Sequence, residues 1–168
     1  MAEGTRVVVG ISGSLANLAA LHRAVEEALL RDAVLVPVIA WTPVGGEPAY
    51  RAHPCPQLAE LWARAAHDRL DAAFEQAFGG YPAGLRVTPM VLRADAGRAL
   101  VAVADRPDDL LVVGAGRRGR LPRILRPSVT RHCQAHAVCT VVTVPPSELL
   151  KDLRRADWNA DALALVAA

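Results

Sequence analysis

Leu110-Leu-Val-Val-Gly114-Ala-Gly-Arg-Arg-Gly119 is the stretch that decides the fold. Its apolar half is typical of a strand buried on both faces, and its glycine-rich half predicts a tight turn at the carboxyl end of that strand. Pro127-Ser128 follows, and it predicts a helix start because proline suits the first turn and serine caps it. In an open α/β sheet, such a loop and helix start can bind an anion through backbone N–H groups.

Strands and helices are expected to alternate along the rest of the chain. Apolar runs predict five strands, at 6–11, 33–41, 85–92, 108–113 and 139–144. Helical spacing of apolar residues predicts a helix that begins after Ser12 or Ser14, and others at 57–78, 96–105 and 128–136. Because most strands are continuous apolar runs, the pattern predicts an α/β fold with a doubly wound parallel sheet covered by helices on both faces.

Two segments are expected to depart from this regular pattern. Pro37 lacks the N–H group that a sheet ladder needs, which predicts an edge or a bulge in the second strand. Residues 42–56 are rich in proline and glycine and predict a long irregular connection. His53 and Cys55 are interpreted as ordinary residues of that connection.

Length and composition favour one domain over residues 1–146, followed by a 147–168 appendage with one short amphipathic helix. No apolar run reaches the ~18 residues that a membrane helix needs, and the amino terminus has no secretory pattern. We therefore expect a cytoplasmic protein without membrane partners. The odd count of three cysteines argues for free thiols.

Charge and metal-ligand patterns were weighed against simpler roles. Net charge is only +2, which gives no support for nucleic-acid binding. The arginines near the glycine loop form either a solvated face or an anion-binding patch: Arg117, Arg118, Arg120, Arg123, Arg126 and Arg131. The pattern His132-Cys133-x-x-His136-x-x-Cys139 superficially resembles a metal cluster, but it lacks a close cysteine pair, so packing and surface roles are favoured.

Catalytic motifs are weak in this chain. Ser12 and Ser14 lack the Gly-x-Ser-x-Gly spacing of a nucleophile elbow and are interpreted as helix caps. Gly114-x-Gly116-x-x-Gly119 matches a dinucleotide fingerprint, but it follows the fourth strand and lacks the later acidic residue. No Walker lysine follows the loop. We assign no catalytic or metal-binding residue, and an enzyme is the less favoured interpretation.

The run from residue 7 to residue 146 resembles the universal stress protein family, in particular its divergent actinobacterial members. The similar segments are Val-Val-Val-Gly10, Asp109-Leu-Leu-Val-Val-Gly114 and Ser128-Val-Thr-Arg-His-Cys-Gln-Ala-His-Ala-Val-Cys-Thr-Val-Val. The resemblance implies a flavodoxin-like five-stranded sheet of order 3-2-1-4-5. It also implies a homodimer, and an exposed apolar fifth strand at the sheet edge favours pairing there.

ATP-binding members of that family share a Gly-x2-Gly-x9-Gly-Ser/Thr pattern after the fourth strand. The spacing is kept here, but Arg117 replaces the second glycine and Pro127 the third, while Ser12 stands at the family's acidic position. A register that starts at Gly116 restores Gly119 but leaves only seven residues before the proline. The nucleotide contacts that the resemblance implies are Ile11, Ser12, Ala40, Gly114, Gly116, Arg117, Gly119, Ser128 and Val129.

These departures predict a degenerate nucleotide or anion site. An arginine side chain stands where the backbone would approach a phosphate, and Pro127 has no N–H to donate. We expect a non-catalytic stress-response protein, with no certain cofactor and with ATP as a candidate ligand. The alternatives are a functional ATP-binding member with slow hydrolysis, and an interaction module without a ligand.

Overall fold

The computed structural model describes residues 4–12, 17–115 and 128–145. These residues contain five strands and five helices: β1 (Arg6–Ile11), α1 (Leu18–Leu30), β2 (Val34–Trp41), α2 (Gly46–Ala52), α3 (Pro56–Phe78), β3 (Met90–Arg93), α4 (Ala96–Val103), β4 (Leu110–Gly114), α5 (Val129–His136) and β5 (Thr140–Val144). All the strands are parallel, in the order β3-β2-β1-β4-β5, which confirms the predicted fold class and strand order. The predicted appendage at 147–168 lies outside the described residues.

Two apolar layers cover the two faces of the sheet. Alternate residues of β1 point to opposite faces, so Val7 and Val9 meet α1 and α3 while Val8 meets α4 and α5. Phe74 of α3 is fully buried in the first layer, and Leu100 of α4 is buried in the second. The central strands β1, β2 and β4 are therefore buried on both sides, as predicted, whereas the edge strands β3 and β5 are only partly buried.

Pro37 lies inside the sheet, so the expectation of an edge strand is wrong. β2 pairs with β1 on one side and β3 on the other, and Pro37 is opposite Val9. The Leu35 N–H donates toward β3, to the Arg86 carbonyl at 2.9 Å, and strand alternation points the Pro37 nitrogen to the same side. The β2–β3 ladder resumes only at Val38, so the proline falls where the ladder is already interrupted.

The 42–56 connection contains a helix, so its predicted irregularity is only partly right. The N-cap Gly45 and the first residue Gly46 of the short helix α2 have φ of 84° and 85°. α3 then begins at Pro56 after Cys55, and its buried residues run from Ala66 to Phe74.

The amino end of α3 is largely exposed. Leu58 and Leu61 are 44% and 54% exposed. A 23-residue helix is about 35 Å long, whereas the 8-residue β2 is about 26 Å, so the helix is longer than the strand that it covers.

In the described ranges no helix is long and apolar enough to cross a membrane.

An ion pair joins two central strands at the end of the sheet where the strands begin. Arg6 of β1 donates from Nε to Asp109 Oδ1 at 2.9 Å and from Nη2 to Oδ2 at 2.5 Å. The Asp109 side chain is fully buried, and the Arg106 N–H also donates to it at 3.1 Å. Arg6 Nη2 also lies 2.6 Å from the exposed Asp105 carboxylate. This network joins the start of β1 to the residue that precedes β4.

Candidate functional site

The carboxyl ends of β1 and β4 form a topological switch point at the centre of the sheet. The two strands are neighbours, but the helix after β1 covers one face while the helix after β4 covers the other. Ligands of open α/β sheets bind in the crevice at such a point. The sequence-predicted residues Ile11 and Gly114 end these two strands.

At the end of β1, the two predicted contact residues differ in exposure. Ile11 is buried in the layer formed with α1 and α3, so its side chain belongs to the core, whereas Ser12 is exposed. The side-chain amide of Asn17 donates to the Gly10 carbonyl. A Cβ at Gly10 would lie 2.9 Å from Leu100 Cδ1, so any other residue here requires the Leu100 side chain to move.

The start of α1 differs from the prediction. Asn17 occupies the N-cap position, so Ser12 is not the cap, and Ser14 lies outside the described residues. Asn17 was not among the predicted site residues. An asparagine before a helical apolar run was the signal available in the sequence.

Ala40 lies beside β1, as the resemblance implied. β2 pairs with β1 so that Ile11 is opposite Ile39, which places Ala40 one position further along the neighbouring strand. Ala40 is partly buried, and strand alternation gives it the same face as Val36 and Val38, which is the face covered by α4 and α5.

The end of β4 is joined directly to the start of α5. Thr130 Oγ1 donates to the Gly114 carbonyl at 2.9 Å, and the Ala115 N–H donates to the Val144 carbonyl at 2.7 Å. Ser128 is the N-cap of α5, with extended backbone, and its Oγ accepts from the Arg131 N–H at 3.4 Å. The first turn of α5 is therefore held at the switch point.

Part of the predicted site lies outside the described residues. Gly116, Arg117 and Gly119 belong to that part, as do Pro127 and all the clustered arginines before it. Of the predicted contacts, the structure brings Gly114, Ser128 and Val129 together at one end of the sheet. Ile11 and Ala40 lie near the carboxyl ends of β1 and β2, and Ser12 directly follows β1.

A cleft of about 340 Å³ adjoins Val129 between the first turns of α4 and α5. Asp95, the N-cap of α4, accepts from the Gly97 N–H at 3.1 Å and from the Arg98 N–H at 3.4 Å. His132 packs so tightly on α4 that a Cβ at Gly97 would lie 2.9 Å from its Cδ2. Asp95, Arg98 and His132 line this cleft, and the sequence had not predicted them as site residues.

The histidines and cysteines of α5 point in different directions. His132 and His136 stack with ring centroids 4.3 Å apart, so they share a helix face, while Cys133 is fully buried in the core. Burial raises the pKa of the Cys133 thiol to about 11, and burial also raises the pKa of Cys139. Across 4–12, 17–115 and 128–145, no group of three or more His, Cys, Asp or Glu residues is arranged to bind a metal.

Comparisons with known proteins fit this geometry. A family model described as the universal stress protein family matches residues 4–145. A universal stress protein solved in complex with cAMP is 29% identical, covers 87% of this chain and 100% of its own, and has a TM-score of 0.54. Universal stress protein UspA from Lactobacillus plantarum is 23% identical, over 86% of this chain and 99% of its own, with a TM-score of 0.60.

A third solved structure has the same fold at lower identity. The universal stress protein from Archaeoglobus fulgidus in complex with dAMP is 18% identical, over 84% of this chain and 98% of its own, with a TM-score of 0.55. No curated protein matches the chain.

Proposed function

The chain belongs to the universal stress protein family, and we propose that it is a non-catalytic, cytoplasmic stress-response protein with a weakened adenine-nucleotide site. The observation that carries this proposal is the hydrogen bond from Thr130 to the Gly114 carbonyl. It holds the amino end of α5 at the switch point, where helix N–H groups and the helix dipole favour a phosphate.

A similar protein supports an adenine nucleotide as the ligand. The universal stress protein in complex with cAMP matches the described fold along its whole length. In the present chain, Ile11 and Ala40 lie on adjacent strands at the same edge of the sheet, which is a suitable place for a base beside phosphates at Ser128 and Val129. Gly116, Arg117 and Gly119 would complete the site through the loop.

Three sequence departures support weak binding. Ser12 has no carboxylate for the ribose or base, Arg117 adds a side chain where the backbone would meet a phosphate, and Pro127 removes one N–H donor. Two or three lost hydrogen bonds, at ~0.5–1.5 kcal/mol each, lower affinity by roughly one to three decades. Arginines near the loop recover part of this loss through charge, which favours phosphate over base recognition.

The described polar side chains near the site take part in structural contacts, which supports a non-catalytic role. The Ser128 hydroxyl caps α5, and the Thr130 hydroxyl bonds the Gly114 carbonyl. Cys133 is buried, and its raised pKa keeps it protonated at neutral pH. Nucleophilic catalysis needs an activated group that faces the substrate.

Isothermal titration calorimetry tests the proposal with ATP, cAMP and inorganic phosphate as probes. We expect wild-type affinity for ATP no tighter than tens of micromolar, the level that follows from the lost hydrogen bonds. The double variant R117G/P127G should bind at least about tenfold more tightly, since it restores the family pattern. Thr88→Ala, an exposed hydroxyl at the opposite end of the sheet, is the control and should change nothing.

Two results would overturn the proposal. Sub-micromolar, adenine-selective binding that Ser128→Ala abolishes would establish a fully functional ATP site. Absence of binding for all three probes, in the wild type and in the glycine-restored variant, would favour an interaction module without a ligand.

We also propose a homodimer that forms through β5. β5 is the last strand in the sheet order, and Val138 just before it is 62% exposed. An unpaired apolar edge favours pairing with a second copy across a two-fold axis. Light scattering at micromolar concentration should give a dimer. The Val144 carbonyl bonds toward β4, so strand alternation turns the Thr143 N–H to the free edge, and Thr143→Pro should give a monomer because proline removes a ladder donor there.

A further inference from the structure

Helix α2 is attached to the molecule by side-chain contacts and not by burial. None of its residues is buried. Its N-cap Gly45 and its first residue Gly46 both have positive φ, and its C-cap His53 stands directly before Pro54. Glycine at one end and proline at the other give α2 two boundaries of its own, so its position depends on what its side chains contact.

One arginine makes most of these contacts. Arg93, at the end of β3, donates from Nε to Glu47 Oε1 at 2.8 Å and from Nη2 to Oε2 at 3.0 Å. Its guanidinium carbon lies 4.2 Å from the Tyr50 ring centroid and 5.5 Å from that of Trp41. A paired fork and two ring faces hold this group in one orientation. We call this arrangement the Arg93 clamp.

The clamp covers two tryptophans, each through a different group. The Tyr50 ring of α2 lies 6.3 Å from the Trp62 ring, and the Arg93 guanidinium lies over the Trp41 ring. The two tryptophan rings are 6.3 Å apart. Opening of the clamp would therefore uncover both rings at the carboxyl end of β2, on the α1 and α3 face of the sheet and next in sequence to Ala40.

We propose that α2 and the Arg93 side chain together form a lid over Trp62 and Trp41, that the Arg93 clamp keeps this lid closed, and that its opening controls access to the base side of the nucleotide site. The uncovered rings offer a stacking surface for a purine, since bases stack on aromatic side chains. The lid itself is independent of the nucleotide, whereas its effect on access rests on the proposed function.

Hydrogen exchange tests the lid without any ligand. In Glu47→Gln and Arg93→Gln, exchange of the 46–52 amides should rise by about tenfold, the loss expected from an exposed ion pair and exposed cation–π contacts. Arg86→Gln is the matched control, since Arg86 is an exposed arginine that faces Asp32 at the other end of the sheet. Its α2 exchange should equal that of the wild type.

Tryptophan fluorescence gives a second measurement of opening. The chain has three tryptophans, so the W158F background restricts emission to Trp41 and Trp62. Acrylamide quenching should increase in both clamp variants and not in Arg86→Gln. If the clamp variants are folded and show unchanged hydrogen exchange and unchanged quenching, the proposal that α2 is a lid is wrong.

Stopped-flow binding of cAMP tests the control of access. Association and dissociation rates should both rise by about tenfold in the clamp variants, in step with exchange. Unchanged rates in variants whose α2 opens would overturn the gating role and leave the lid itself supported. If cAMP binds to none of the variants, the proposed function is wrong. The hydrogen-exchange experiment still shows whether α2 opens, because it needs no ligand.

Discussion

The two ends of the sheet, where the strands begin and where they finish, each carry an arginine–carboxylate pair, and the two pairs differ in burial. At the amino ends of the strands, Arg6 donates two hydrogen bonds to Asp109, whose side chain is fully buried. At their carboxyl ends, Arg93 donates two hydrogen bonds to Glu47, and these two side chains are 33% and 36% exposed. Water competes only with the second pair. The first pair therefore fixes the fold, while the second holds an element that can separate from it.

Asp109→Ala should have the largest effect. It leaves Arg6 without its buried partner, and breaking a buried pair from one side costs about 3–5 kcal/mol of unfolding free energy. Urea denaturation followed by circular dichroism measures this loss. Asp105→Asn, which alters the exposed partner of the same arginine, is the control and should have a much smaller effect, because solvent screens an exposed pair. Equal losses in the two variants would contradict the distinction by burial.

Gly97→Ala should have an intermediate effect, at the carboxyl edge. The new Cβ would lie 2.9–3.1 Å from three atoms of His132, including its Cβ, so α4 and α5 must move apart. We expect a net loss of about 1–2 kcal/mol, since overpacking outweighs the better helix propensity of alanine. The double variant G97A/H132A should recover most of the loss in the same urea experiment. A stabilised single variant would show that this contact is not tight.

The effect of acid on α2 should be the smallest of these effects. The hydrogen bonds from Arg93, and then its charge and that of Arg51, lower the pKa of Glu47. A carboxylate whose pKa is lowered in the folded state contributes its full stability above pH 4.5, the ordinary value, and loses it as pH falls through the lowered pKa.

Hydrogen exchange of α2, corrected for intrinsic rates, measures this effect. Opening in the wild type should increase as pH falls below the ordinary glutamate pKa, whereas Glu47→Gln should show little dependence on pH. A parallel increase in both proteins would assign the acid response to another group.

The alternation of strands and helices could be predicted because it depends on patterns that are local in sequence. Each apolar run and each glycine-rich end is visible along the chain, and the right-handed crossover rule then gives a doubly wound sheet. The strand order was predicted only from the resemblance to the universal stress protein family. The prediction for Pro37 was wrong because the sheet does not need an N–H at this position. The pairing between β2 and the neighbouring chain is interrupted between Val87 and Met90, which the sequence around Pro37 does not reveal. α2 was missed because a short helix without buried residues has no apolar periodicity.

The candidate site was predictable to a similar degree. Ser128 was identified because a helix cap is a local signal. The cleft with Asp95 and His132 was not predicted, since it forms only where two helix starts meet across the sheet. The Arg6–Asp109 pair joins positions 103 residues apart, and nothing local in the sequence connects them.

The distribution of the thiols makes the chain suitable for site-selective labelling. Cys55 is only partly buried and precedes the first turn of α3, next to the end of α2, whereas Cys133 is fully buried and Cys139 is partly buried with a raised pKa. A maleimide dye should therefore attach first at Cys55, because thiolate character and access govern the reaction. The native sequence thus carries its own attachment point for a fluorophore beside α2, without an engineered cysteine.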